Sequence, residues 1–143
     1  MARWIVYLDA NALISFIERD DDPVVRLFDM VGSGATRLFT SELGLSEVLV
    51  APLRDGDSAL ASAYEEFLIS DESLTVLPIN RAILHDAARL RATFGGKTPD
   101  AIHVATAPSC NCNIILSFDQ RLRTPEAITR IAVEDAGNWD KWP

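Results

Sequence analysis

Lysine, histidine and cysteine are scarce in this chain of 143 residues, and each scarcity closes off a class of function. Only Lys97 and Lys141 carry an ammonium group, so the remainder of the 13 basic side chains are arginines, a type suited to bidentate pairing with phosphate or carboxylate. Cys110 and Cys112 form a lone Cys-x-Cys, and with His85 and His103 as the only histidines they make a poor zinc set. They read as reduced, partly buried thiols near a strand, which fits a reducing compartment. No apolar run approaches the roughly 20 residues that cross a bilayer. The apolar stretch after Met1-Ala2-Arg3 is broken by Asp9, Asn11 and the charged run Glu18 to Asp22, unlike a secretion leader. It reads as a first strand and helix, and the expected location is cytoplasmic. Linkers, repeats and low-complexity stretches are also missing, so residues 1–143 are read as one domain. Net positive charge is absent too: the balance is −8, which excludes a general nucleic-acid coat protein. It does not exclude an enzyme whose acids bind a cation.

What the chain has is a set of acids at structural junctions. Asp9 closes the apolar run Trp4-Ile5-Val6-Tyr7-Leu8, and Asp119 follows Ile114-Ile115-Leu116-Ser117-Phe118. Asp100 opens a helix-like stretch after Thr98-Pro99, and Glu47 sits mid-helix between apolar neighbours, where an unpaired charge is costly. Glu42, its competitor, falls at the helix entrance and reads as a partner of the helix dipole. Strands are expected over 3–8, 37–40, 74–77, 113–118 and 130–133. Helices are expected over 11–19, 23–31, 41–53, 57–69 and 80–93, with a further helix capped by Thr98 and a tail over 135–143. Strands alternating with helices imply an α/β fold with a mostly parallel sheet covered on both faces. In such a fold ligands bind at the carboxyl edge of the strands, where these acids would gather.

Two carboxylates about 5 Å apart at an effective dielectric of ~20 repel by roughly 3 kcal/mol. Four together raise one another's pKa values or bind a cation. Oxygen-only ligands suit Mg²⁺ or Mn²⁺, and such an ion can activate water against a phosphodiester. Taken singly, each acid also has an ordinary reading as a helix cap or turn residue. Asp9 can accept N–H groups of the helix it precedes and still offer an oxygen. Asn11 could orient a carboxylate or a water, or simply serve the turn. His103, one turn after Asp100, reads first as a hydrogen-bonded structural histidine and second as a contact to substrate.

These residues also carry a resemblance. Leu8-Asp9-Ala10-Asn11-Ala12-Leu13-Ile14, Ser41 through Glu47, Pro99-Asp100-Ala101-Ile102-His103-Val104-Ala105-Thr106-Ala107 and Ile115-Leu116-Ser117-Phe118-Asp119 together resemble, in order, the four blocks of PIN-domain ribonucleases, and within them the VapC-type toxin of a VapBC toxin–antitoxin pair. The resemblance spans essentially the whole chain. It implies a three-layer α/β/α sandwich and Mg²⁺- or Mn²⁺-dependent hydrolysis of RNA. It further implies a homodimer and neutralisation by a cognate antitoxin. Asp9, Glu47, Asp100 and Asp119 would be the catalytic and metal-binding set, with Asn11, Ser117, His103 and Arg121 positioning substrate or carboxylates. Arg121 and Arg123 would meet RNA phosphates or antitoxin carboxylates, or simply stand as solvated surface cations. Phe118, where relatives often carry asparagine, and Pro108, inside a helix that usually continues, depart from the pattern.

Three alternatives stand beside this expectation. One is a non-catalytic PIN-like module that binds RNA or protein; another is a solitary RNA-processing nuclease without an antitoxin. The third, a phosphoryl-transfer receiver or aspartate-nucleophile phosphatase, fits poorly. Neither lysine stands at a late strand end, and Asn11 occupies the place where a phosphatase needs its second aspartate.

Overall fold

The strands are short and apolar because both of their faces are covered. In the computed structural model, which describes residues 3–19, 22–70, 72–117, 119, 121–136, 138 and 142, β1 (Trp4–Leu8) is the middle of a five-stranded sheet. Around it lie β2 (Thr36–Ser41), β3 (Leu74–Leu77), β4 (Ile114–Leu116) and β5 (Thr129–Ile131), in the order β3-β2-β1-β4-β5 and all parallel. Successive strand residues point to opposite faces. Val6, Leu8, Leu38, Ile114 and Leu116 pack on one side with Leu13, Val24, Leu27, Val48 and Tyr64. Tyr7, Phe39 and Ile115 pack on the other with Val104, Ala107 and Ile128. Burial on both faces yields continuous apolar strands in place of alternating ones, and the result is the three-layer α/β/α sandwich.

The helices are α1 (Ala10–Ile14), α2 (Asp22–Asp29), α3 (Glu42–Arg54), α4 (Ser58–Ser70), α5 (Arg81–Phe94) and α6 (Thr98–Thr106). The stretch expected as one helix over 11–19 changes character: after Ile14 the coil widens into a π turn over Ser15–Arg19. Ser15 is fully buried there, and its hydroxyl finds no hydrogen-bond partner among the described residues. Thr98, expected as the cap of α6, is instead its first residue; Lys97 holds the cap position without a side-chain bond. Pro108 does end that helix early, since the chain tightens into a 3-10 turn over Ala107–Cys110. Nor is the C-terminal stretch wholly a tail: Trp142 is buried edge-on against Trp4 at 5.3 Å, and its Nε1–H donates to the Asp135 carbonyl. Phe118 and Lys141 lie outside the described residues. No helix among the described residues is long and apolar enough to cross a membrane.

Topology selects the position of the site. From β1 the chain moves outward through β2 and β3, then returns to the opposite side of β1 as β4. The β1–β4 junction is therefore the switch point of the sheet, where a crevice opens beyond the strand ends. Leu8 pairs with Leu116 at that edge, and Asp9 N–H donates to the Leu116 carbonyl at 3.3 Å. Gly44 supplies the other close approach: a Cβ on it would stand 3.1 Å from Thr40 Oγ1 and 3.2 Å from Leu13 Cδ1. Its bare backbone seats α3 against β2 and α1, with Glu47 one turn further along.

Candidate metal and nuclease site

Asp9 is the first residue past β1 and the N-cap of α1. Its Oδ1 accepts the Ala12 N–H at 3.1 Å, satisfying one of the free donors of that helix. The second oxygen is left for other partners. Burial holds the Asp9 carboxyl above its ordinary value of 3.8. The Ala12 N–H, the Ser117 hydroxyl and His103 pull it down, while Glu47 pushes it further up.

Glu47 is half-buried, and the apparent puzzle of a charge in the middle of a helix resolves into a hydrogen-bonded chain. Its Oε1 lies 2.5 Å from His103 Nε2, and His103 Nδ1 lies 2.6 Å from the Tyr7 hydroxyl, which is 2.8 Å from Ser41 Oγ. Tyr7, Ser41 and His103 are all buried. Tyr7 has one proton to give, and burial pushes its phenol well above the ordinary range. If that proton goes to Ser41, His103 Nδ1–H donates to Tyr7. If it goes to Nδ1, Ser41 donates to Tyr7. In the second arrangement a neutral imidazole carries its proton on Nε2 and donates it to Glu47, whereas in the first the same bond requires an imidazolium. Either way the ring holds one carboxylate oxygen, and the other has no hydrogen-bond partner among the described residues. The first, structural reading of His103 is the one its surroundings match. Ser41 caps α3 by position but makes no capping bond with its side chain; its hydroxyl serves Tyr7.

Asp100 lies in the first turn of α6, where the helix dipole favours its charge. Burial nonetheless raises its pKa above 3.8, and Asp119 raises it further. His103 and Lys97 lower it, and Glu47 adds a smaller upward push. Asp119 follows β4. Its own N–H donates to Ser117 Oγ at 3.1 Å, and its Oδ1 accepts the Arg121 N–H at 2.9 Å. The Arg121 guanidinium is 4.0 Å away and its side chain is 95% exposed.

Asp9, Glu47, Asp100, Asp119, His103 and Ser117 thus share one electrostatic neighbourhood at the carboxyl edge. Asn11 is exposed on α1, apart from that hydrogen-bonded chain. Glu42 is exposed in the first turn of α3, as expected of a dipole partner. The donor chemistry, carboxylate oxygen throughout, fits a hard divalent cation. The carboxylates stand apart: among the described residues no three Asp, Glu, His or Cys side chains are disposed to hold a metal ion. Four like charges at one edge repel, and repulsion of roughly 3 kcal/mol per close pair is enough to spread them.

The sequence reading passed over three participants. Tyr7 looked like one apolar residue of a strand. Lys97 was noted only as a lysine away from a late strand end, yet it lowers the Asp100 pKa. Arg130 on β5 donates to the Ser117 carbonyl at 2.7 Å and so steadies the residue that follows β4. Cys110 and Cys112 form no disulfide and are half-buried and buried respectively.

A model of the PIN domain matches residues 6–127, and the chain belongs to the PIN-domain family. No curated protein matches it by sequence. Among solved structures it is similar to VapBC2 from Rickettsia felis bound to a promoter DNA fragment, at 11% identity and a TM-score of 0.73, covering 90% of this chain and 98% of that one. It is similar to VapC20 of Mycobacterium tuberculosis, a toxin that cleaves the sarcin–ricin loop, at 16% identity and a TM-score of 0.66, covering 82% and 92%. It is also similar to FitAcB from Neisseria gonorrhoeae, at 16% identity and a TM-score of 0.60, covering 93% of each chain. At such identities the likeness is one of fold.

Proposed function

We propose that this PIN-domain chain is a Mg²⁺- or Mn²⁺-dependent endoribonuclease, residues 1–143 forming one domain that acts as the toxin of a VapBC-type pair. The observation that supports the reading is that Asp9, Glu47, Asp100 and Asp119, in the block order of PIN nucleases, feel one another's charge at the carboxyl edge of the sheet. It is supported by solved structures of the same fold that include a toxin–antitoxin complex and a toxin that cleaves the sarcin–ricin loop.

Asp9 would offer the oxygen not used in capping α1, and Glu47 the oxygen not held by His103. Asp100 and Asp119 would complete the set from the facing side. A bound divalent ion would supply a polarised water and positive charge beside the phosphodiester. The attacking oxygen bonds to phosphorus as the bond to the 3′ oxygen breaks, leaving a 5′-phosphate and a 3′-hydroxyl. Arg121 reaches freely into solvent and is placed to meet a neighbouring phosphate, while Ser117 and His103 hold carboxylates in position. Asn11, at the rim, is assigned a contact to substrate or to a bound water. A cognate antitoxin would silence the site, a homodimer would set two such sites together, and the free thiols suit the cytoplasm.

The test is cleavage of a structured RNA pool by purified protein with Mg²⁺, with Mn²⁺ and with chelator, beside Asp9→Asn and Asp100→Asn. Cleavage that needs metal and falls at least about 100-fold in each variant is the expected result, since residues that only orient a ligand already cost 10–100-fold. The separation of the carboxylates favours one rival, a non-catalytic PIN-like binding module. RNA binding without metal-dependent cutting would select it.

A further inference from the structure

Beside the acids, away from Asp9 and Glu47, a groove of about 510 Å³ opens between the end of α5, the first turn of α6 and the residues after β4. Asp100 and Asp119 are part of its lining. Its apolar lining includes Leu90, Val104, Leu122 and Phe94, an aromatic ring left 52% exposed. Lys97, Arg121 and Arg123 also line it, three cations on a chain of net charge −8. Gly95 and Gly96 turn the chain there at φ +75° and +88°, and a Cβ on either would meet nothing within 4 Å. The turn therefore needs glycine for its backbone, and the same choice leaves that wall bare. Arg123 already lies against the Phe94 ring, its guanidinium 5.4 Å from the centroid.

We propose that this groove receives an unpaired nucleobase of the RNA, one that stacks on Phe94 next to the scissile phosphate. The proposal rests on the ribonuclease reading and adds a substrate class to it. The volume lies within the range of small-ligand pockets. A half-exposed aromatic residue with an arginine over its ring offers base stacking and a cation together, the pairing that binds single-stranded bases without regard to sequence. The cations complement phosphates on either side of that base, while the acids in the lining set the phosphodiester beside it. An A-form duplex keeps its bases stacked and cannot deliver one here, so the substrate must present a loop, bulge or single strand. An acidic peptide would satisfy the cations but would give the neighbouring carboxylates no phosphodiester.

The probe is a fluorescein-labelled, mixed-sequence single-stranded RNA, compared with the same strands annealed into duplex, with anisotropy read in chelator so that nothing is cut. The wild type should prefer the single strand. Phe94→Ala should weaken single-strand binding by roughly 5- to 100-fold and duplex binding little, whereas Phe94→Trp should restore it. Thermal melts of both variants establish that each is folded. Single-strand binding unchanged in Phe94→Ala, while the wild type cleaves RNA with metal, overturns the groove and leaves the nuclease reading standing. So does a Phe94→Ala variant that loses affinity only for a partner protein. A wild type that neither binds nor cleaves RNA overturns both.

Discussion

On one side of the site Glu47, His103, Tyr7 and Ser41 form a chain of hydrogen bonds of 2.5, 2.6 and 2.8 Å, with three of the four residues buried. On the other, Asp100 and Asp119 face a groove, and the nearest guanidinium, that of Arg121, stands 4.0 Å from Asp119 on a side chain almost wholly in solvent. The first side spends buried polar groups on setting one carboxylate oxygen in place before any ligand arrives. The second sets Asp119 near enough to raise the Asp100 pKa, and the cations beside them, Lys97 and Arg121, are exposed to solvent. A site assembled this way has a rigid half that fixes geometry and a strained half whose charge a ligand can relieve. Preorganisation and affinity are then supplied by different residues, and the two can be separated by mutation.

The largest effect should come from breaking the rigid half. His103→Ala leaves Glu47 and the Tyr7 hydroxyl without their partner, which should cost about 1–3 kcal/mol of stability and lower metal-dependent cleavage by roughly 10- to 100-fold. His103→Gln, whose amide can still donate to Glu47, should recover part of both. Mn²⁺ affinity by calorimetry supplies the reading that separates positioning from mere loss of fold, for it should fall in His103→Ala at temperatures where the variant is fully folded. Arg121→Ala, on the open half, should leave the melting temperature unchanged. If it melts like His103→Ala, the contrast between the halves is wrong.

A smaller effect of opposite sign is expected from the strained half. Burial first, and Asp119 second, hold the Asp100 carboxyl above its ordinary 3.8. Below that value the carboxyl is protonated in both folded and unfolded chains and contributes nothing to pH dependence. As pH rises past 3.8 the unfolded chain releases its proton first, so stability falls until the folded carboxyl has ionised too, and the loss is then complete. In chelator at pH 7, Asp100→Asn should therefore melt above the wild type, with the gain shrinking as pH drops toward 3.8. A variant that melts lower at pH 7 would show that the carboxylate is locally stabilising and that the strain is not there.

The sequence disclosed the parts of this arrangement that depend on neighbours along the chain. Apolar strands ending in an acid, a proline one residue into a helix and glycines that stop α5 are local patterns, and the expected strand over 74–77 coincides with β3. The rigid half was hidden because its bonds are not local: Tyr7 meets Ser41 across 34 residues and His103 across 96. Nothing in Trp-Ile-Val-Tyr-Leu distinguishes a tyrosine whose hydroxyl is spoken for from one that only fills the core. Arg130 is invisible for the same reason, since only the pairing of β5 with β4 brings it to Ser117. The π turn over Ser15–Arg19 follows an apolar pattern that an α-helix would satisfy equally well. Glu47 was legible as an anomaly, a charge where a helix needs none, and such a misfit pointed to a partner without naming it.

Ser117 is where the two halves join, and it gives the mildest test of whether they are separate. Its Oγ accepts the Asp119 N–H, its hydroxyl lowers the Asp9 pKa, and Arg130 holds its carbonyl. Ser117→Ala removes the first two links and keeps the third, so the strand end should stay in place while the Asp119 backbone loosens. The loss of the Asp119 N–H bond alone is worth about 0.5–1.5 kcal/mol, within reach of a denaturant titration. Hydrogen exchange localises it: the Asp119 amide should lose protection in Ser117→Ala, while the β1 amides paired with β2 keep theirs. Should protection fall equally across β1, the halves are mechanically one unit, and Ser117 is a pillar of the sheet instead of a hinge between a fixed carboxylate and a yielding one.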